Sequence, residues 1–186
     1  MPTMDRADLN AYLDQVLIGG REQVAITIAD YDPAWPARFE SERVRIEAEL
    51  GDLPIRIEHI GSTAVPGLAA KPIVDILVTV DNPDDEAAFA PALVHAGYEL
   101  RVREAGHRMF RTPRRDVHVH VWADDDAEVG RYLALRDRLR ASRDDRAAYE
   151  RLKRELASRD WDDMNHYAEA KGELIEALIA RFTSSR

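Results

Sequence analysis

Residues 58–75 read E-H-I-G-S-T-A-V-P-G-L-A-A-K-P-I-V-D, a stretch whose residue types suit phosphate and metal chemistry. The β-prone run Arg56 to Ile60 stops at Gly61, where a missing Cβ lets backbone amides approach a bulky anion. Ser62 and Thr63 then offer hydroxyls and N–H groups, and Lys71 adds a cation. Ile73 to Val80 reads as a buried strand with Asp75 near its start, so a phosphate held at Gly61 and Ser62 would sit beside a metal held by Asp75. A lone aspartate at a strand entrance is also a common turn-former, and Gly61, Ser62 and Gly67 have an ordinary reading as turn residues. Their combination with Lys71-Pro72 is longer than a turn requires.

A second constellation is His118-Val119-His120. On a strand its imidazoles share one face while Val117, Val119 and Val121 point the other way, and a neutral pair at that spacing can grip a metal. Two imidazoles with a carboxylate suit Zn, Mn or Fe better than Mg, which prefers oxygen ligands. Strand histidines are equally often hydrogen-bonded core groups, and both readings stand at this point. His59, directly before the bend, reads either as a catalytic group or as one that orients Ser62 and the turn carbonyls.

The elements that must position these groups follow from periodicity and punctuation. Asp8 to Ile18 places Leu9, Tyr12, Leu13, Val16 and Leu17 on one helical stripe, closed by Gly19-Gly20, which predicts an amphipathic N-terminal extension over 1–22 and one domain over 23–186. A brief strand is expected at Val24 to Ile28. Asp32-Pro33 opens a helix whose core-facing side includes Trp35, Phe39, Val44, Ile46 and Leu50. A helix over about Asp85 to Ala96 ends at Gly97, before a strand over Tyr98 to Val102. Arg108 to Thr112 and Val117 to Trp122, joined by Pro113-Arg114-Arg115-Asp116, read as an antiparallel hairpin, so the sheet is mixed. From Asp126 onward three helical segments follow, with breaks near Ser142-Arg143-Asp144 and Ser158 to Asp163, and the third carries Tyr167, Leu174, Leu178 and Phe182.

With 186 residues, 45% hydrophobic and 33% charged, the balance is that of a soluble globular chain. No apolar run approaches the ~20 residues that cross a bilayer, and the N-terminus lacks the pattern of a signal peptide, so a cytoplasmic location and no membrane partner are expected. The absence of cysteine excludes thiol nucleophiles and cysteine-held zinc. A formal charge of −9 disfavours nucleic acid, and the arginines of residues 136–154 are offset by Asp137, Asp144, Asp145 and Glu150. A small anionic substrate fits better. Nothing in the chain specifies an oligomeric state.

The run H-I-G-S-T-A-V-P-G-L-x-A-K-P-I-V-D-I, His59 to Ile76, resembles the signature of the GrpB-type proteins, a family of the nucleotidyltransferase superfamily. The likeness extends through Trp35 and Phe39, Gly97-Tyr98, His118-Val119-His120, Arg136-Asp137-x-Leu139-Arg140, Tyr149-x-x-Leu152-Lys153 and Tyr167-x-x-x-Lys171, from about Ile26 to the end. The resemblance implies a minimal nucleotidyltransferase fold of α/β (α+β) class, a mixed sheet flanked by helices with a helical C-terminal third. It implies transfer of a nucleotidyl group from a nucleoside triphosphate to a small-molecule acceptor, with a divalent metal, Mg or Mn, and Zn as a further candidate. Gly61, Ser62, Thr63 and Lys71 would bind phosphate. Arg136, Lys153 and Lys171 would join them; on composition alone they belong to solvated helix faces, and only the family pattern lifts them above that. By analogy with the third acidic ligand of that superfamily, His118 and His120 would hold the metal with Asp75, alongside Glu58. Asp75, His59 and His120 are the candidate catalytic groups, an imidazole being suited to proton transfer near neutral pH. The superfamily usually carries Asp-x-Asp or Asp-x-Glu after Gly-Ser, whereas Leu77 stands at the second acid here, which weighs against two-metal transfer. Two alternatives are therefore kept: a His/Asp metal-dependent enzyme acting on a small anionic molecule, and a catalytically silent nucleotide-binding module.

Overall fold

Branched apolar residues at every second position of 74–80 and 117–121 make two strands that share one apolar face. The computed structural model describes residues 6–23, 25–53, 55–161 and 163–183. In it those strands are neighbours at the centre of a five-stranded mixed sheet: β1 (Arg56–Ile60), β2 (Val74–Val80), β3 (Glu99–Glu104), β4 (His107–Arg111) and β5 (Val117–Ala123), in the order β1-β2-β5-β4-β3. β2 and β5 run parallel, and the other pairs are antiparallel. The expected hairpin is β4–β5, and the crossover leaving β2 skips two strands to reach the far edge at β3.

Seven helices flank the sheet among the described residues: α1 (Arg6–Val16), α2 (Trp35–Leu50), α3 (Ala90–His95), α4 (Ala127–Ala141), α5 (Arg143–Ala157), α6 (Met164–Glu169) and α7 (Gly172–Thr183). The main core joins Val74, Ile76, Val78 and Val80 of β2 and Val117, Val119 and Val121 of β5 to Trp35, Ile46 and Leu50 of α2 and Leu93 of α3. A smaller cluster, Ile60, Leu77 and Val129, seats α4 on the opposite face, and Val65, Leu68, Leu139, Tyr149 and Leu178 tie the loop after β1 to the C-terminal helices. Asp126, Ser142 and Asp163 cap α4, α5 and α6 through their side chains, so each helix begins where an orphan N–H can be satisfied.

Several expectations need correction. Residues 25–28 form no strand; the segment makes a single bridge, Ala29 to Ala70, and Val24 lies outside the described residues, as do 1–5 and 184–186 at the ends of the expected units. Val44 is 54% exposed, because the buried positions Glu42, Ile46 and Leu50 recur every four residues and position 44 falls on the far side of that stripe. The helix expected over 85–96 is a 3₁₀ turn at Glu86–Ala88 followed by α3, since Pro91 has no N–H for an interior helix bond and starts a new first turn instead. The last helical segment is split at Ala170 and Lys171, between α6 and α7.

Candidate functional site

The pairing of β1 with β2 sets Ile60 opposite Asp75, so the chain leaves β1 into the bend directly over the point where β2 begins. Gly61 there has φ 69°, a left-handed conformation that favours glycine. A Cβ added at Gly61 would collide with Asp75 Oδ2 and lie 3.1 Å from its Cβ. The bend and the aspartate thus touch, and glycine is required both by its backbone angle and by the carboxylate pressed against it. After the bend a 3₁₀ turn, Ser62–Ala64, directs the loop toward the C-terminal helices.

The parallel register sets Asp75 beside His118 and Leu77 beside His120, so the carboxylate and both imidazoles share one face. Asp75 Oδ1 is 3.5 Å from His118 Nδ1 and 3.9 Å from His120 Nε2, and one ligand atom from each residue falls within a 4.8 Å group. Those spacings are long for hydrogen bonds. They are near the edge length of about 3.4 Å expected between ligands of a tetrahedral metal with bonds of about 2.1 Å. The donor set fits a divalent transition metal. Burial alone would raise the Asp75 carboxyl, but the two imidazoles outweigh it and hold the group well below the usual carboxylate range.

A cavity of about 200 Å³ opens from this centre toward the C-terminal helices. Lys71, Lys153, Lys171 and Arg136 line it, and Asp75 is the one carboxylate on its wall among the described residues. Lys153 Nζ donates to Ser62 Oγ at 3.1 Å and to the Ala69 carbonyl, and lies 5.0 Å from the Tyr149 ring centroid. Lys71 and Lys171 lie on the Tyr167 ring, at 5.2 and 4.5 Å. Burial lowers all three lysines, Lys153 to about 7 and Lys171 to about 8, with like-charged lysine neighbours adding to the shift in those two. The Tyr167 hydroxyl is buried in this wall with no hydrogen-bond partner among the described residues. Three lysines around a donor with no hydrogen-bond partner make a lining that suits an anion.

The helices also clamp the bend. Arg136 donates to the His59 carbonyl at 3.2 Å and Arg140 to the Ala64 carbonyl at 3.0 Å, while Glu150 accepts from Ala69 N at 3.4 Å. Arg136 and Lys153 are therefore turned toward the bend, and Arg140 reaches it from an exposed position.

Of the residues singled out from sequence, Gly61, Ser62, Lys71, Asp75, His118, Arg136, Lys153 and Lys171 line this one cavity. His120 completes the Asp75 group from the adjoining side. Three others lie elsewhere. His59 sits opposite Ile76 and so belongs to the apolar face, with its ring stacked 4.7 Å from Phe39 and burial pushing it down to about 4. Its Nε2 meets Thr63 Oγ1 at 3.1 Å, and the Thr63 hydroxyl donates to the Ile73 carbonyl, so both residues brace the bend from behind. Glu58 is outside the Asp75 group because its carboxylate pairs with Arg136 at 2.8 Å. Lys171 lies in the α6–α7 break, not on one helix with Tyr167, yet the break brings its ammonium onto that ring. Sequence reasoning places Tyr149 and Tyr167 only in the core or the family pattern; each stands four positions before a pocket lysine, and that spacing carries the signal.

The family model described as GrpB protein matches residues 25–181. A UPF0157 protein of Streptomyces coelicolor is 52% identical over 170 residues, 91% of each chain. A UPF0157 protein of Halalkalibacterium halodurans is 42% identical, covering 91% of this chain and 89% of that one. The crystal structure of the conserved protein GrpB from Enterococcus faecalis superposes with a TM-score of 0.75 at 32% identity, over 86% of this chain and 98% of the other.

Proposed function

From the premise that this chain belongs to the GrpB family, we propose that it holds the phosphates of a nucleoside triphosphate in the lysine-lined cavity and a divalent metal at Asp75, His118 and His120, and passes the nucleotidyl group to a small-molecule acceptor. The observation that carries this reading is the meeting of two unlike environments at one carboxylate: a cavity rich in buried cations on one side of Asp75 and an imidazole pair on the other. Lys71, Lys153 and Lys171 would balance the β- and γ-phosphates, with Ser62 and the Tyr167 hydroxyl as further hydrogen-bond partners. Arg136 is already engaged by Glu58 and Asp137, so its part is to hold the bend. When bound, the metal would polarise the phosphoryl oxygens and neutralise developing charge. In the transfer, a bond forms from the acceptor oxygen or nitrogen to the α-phosphorus and the α–β bridge bond breaks. Pyrophosphate leaves into the lysine cluster, and the acceptor proton passes to water.

A second reading has a specific observation in its favour. Leu77, at the position of the superfamily's second acid, is fully buried with Ile60 and Val129, which leaves no carboxylate there for a second ion. A single metal held by two imidazoles and a carboxylate suits activation of water against a small phosphorylated molecule. Isothermal titration with ATP, GTP, CTP and UTP, together with metal analysis of the purified protein, separates the two. Triphosphate affinity that requires Mg or Mn, with pyrophosphate released in the presence of acceptors, supports transfer. Copurified Zn with hydrolysis and no transfer supports the second reading, and neither metal nor triphosphate binding contradicts both.

A further inference from the structure

Behind the metal-facing edge of His120 lies a line of polar side chains that crosses the sheet. The face that carries Asp75 on β2 and His118 and His120 on β5 continues onto β4, where His107 is paired with Trp122, and onto β3, where Glu104 is paired with His107. His120 Nδ1 is 3.4 Å from His107 Nε2, and His107 Nδ1 is 3.3 Å from Glu104 Oε2. The two imidazole planes are 3° apart with centroids separated by 5.6 Å. A nitrogen contact of 3.4 Å at that centroid separation requires the two rings to meet edge to edge along one line, the geometry of an N–H···N hydrogen bond and not of a face stack. Trp122 stacks on His107 at 4.1 Å and 10°, which fixes the plane of the middle ring.

With both imidazoles neutral, proton placement along this line has one consistent solution. A carboxylate at Glu104 only accepts, so His107 Nδ1 carries a proton and His107 Nε2 is bare. That bare nitrogen accepts from His120, so His120 Nδ1 carries a proton and His120 Nε2, the atom 3.9 Å from Asp75, presents a lone pair to the Asp75–His118 group. A ligating imidazole whose other nitrogen donates to a fixed acceptor is the arrangement that sets tautomer and ring orientation in metal sites.

We propose that Glu104 and His107 are positioning residues that lock His120 in the Nδ1–H tautomer with Nε2 aimed at the metal. The proposal rests on the metal reading above.

Its test uses the full chain and two measurements. In metal-free protein, long-range ¹H–¹⁵N spectra should show His120 protonated at Nδ1. His107→Phe, which keeps a ring against Trp122 but removes both nitrogens, should leave His120 a mixture of tautomers. Titration with Co(II), followed by its visible absorption, should show affinity weakened about 10–100-fold in His107→Phe and less in Glu104→Gln. His107→Gln, whose amide can accept from His120 and donate to Glu104, should recover most of the loss. A purely packing role predicts the opposite order, with Phe tolerated and Gln not. His120 protonated at Nε2 in the wild-type protein overturns the proposal. So does wild-type Co(II) binding that His107→Phe leaves unchanged, in which case the metal reading survives. Wild-type protein that binds no Co(II), Zn or Mn overturns the metal reading and this proposal together.

Discussion

The two faces of the central sheet are made by alternate residues of the same strands, and they could hardly differ more. On one, Val74, Ile76, Val78, Val117, Val119 and Val121 are buried in a continuous apolar core beneath α2 and α3. On the other, the interleaved positions bring Asp75, His118 and His120 to a half-open cleft, with Lys71, Lys153 and Lys171 brought in by the loop after β1 and the C-terminal helices. Stability and chemistry are thus separated by a step of one residue, and each can be perturbed with little effect on the other. Groups that would be costly as part of a core lie on the second face, where the cleft opens.

The largest effect is expected on the apolar face. Ile76→Ala removes a fully buried side chain and should cost about 2–5 kcal/mol in urea unfolding. Triphosphate affinity per folded molecule should be unchanged, and a loss of affinity in the folded fraction would show that the faces are coupled. Gly61→Ala acts on both properties, since the new Cβ meets the Asp75 carboxylate and the backbone angle disfavours any side chain. It should cost roughly 1–2 kcal/mol in stability and remove metal binding in calorimetry.

Lys153→Met tests the second face by itself. It should weaken triphosphate binding about 10–100-fold, the worth of a charge-assisted hydrogen bond, while leaving the thermal midpoint equal or higher because a buried cation is replaced by an apolar chain. A fall in the midpoint would mean that the lysine serves the fold. The smallest effect is in pH. Burial lowers Lys153 to about 7, so above that pH the free protein holds it neutral, whereas a bound polyphosphate favours the ammonium. Triphosphate affinity should decline as pH rises past 7, and binding at pH 8 should take up a proton, seen as a dependence of calorimetric heat on buffer ionisation enthalpy. The unfolded lysine keeps its proton to 10.5, so this same group makes stability rise with pH between about 7 and 10.5.

Much of this arrangement is legible from local pattern. The alternation in 74–80 and 117–121, the bend at Gly61 and the caps of the C-terminal helices are signals contained within a few residues. What local pattern does not carry is register. His59 adjoins the bend in sequence, but its pairing with Ile76 turns its ring to the apolar face, and only the strand alignment reveals that. Glu58 is a reasonable metal ligand until Arg136, 78 positions later, arrives to pair with it. His107 is missed because the expected strand begins at Arg108, one residue too late to place it opposite Trp122. Pro91, by contrast, is a local sign that the helix over 85–96 must restart.

Both faces matter to function only if the bend and Asp75 form one pocket for phosphate and metal. The decisive measurement is isothermal titration of ATP into the wild-type and Asp75→Asn proteins, with Mn present and after chelation. Wild-type binding should strengthen with Mn, and the folded Asp75→Asn protein should keep only the weak, metal-independent affinity of the lysines. Equal affinity in the two proteins with Mn present, or wild-type binding indifferent to chelation, would contradict a shared pocket.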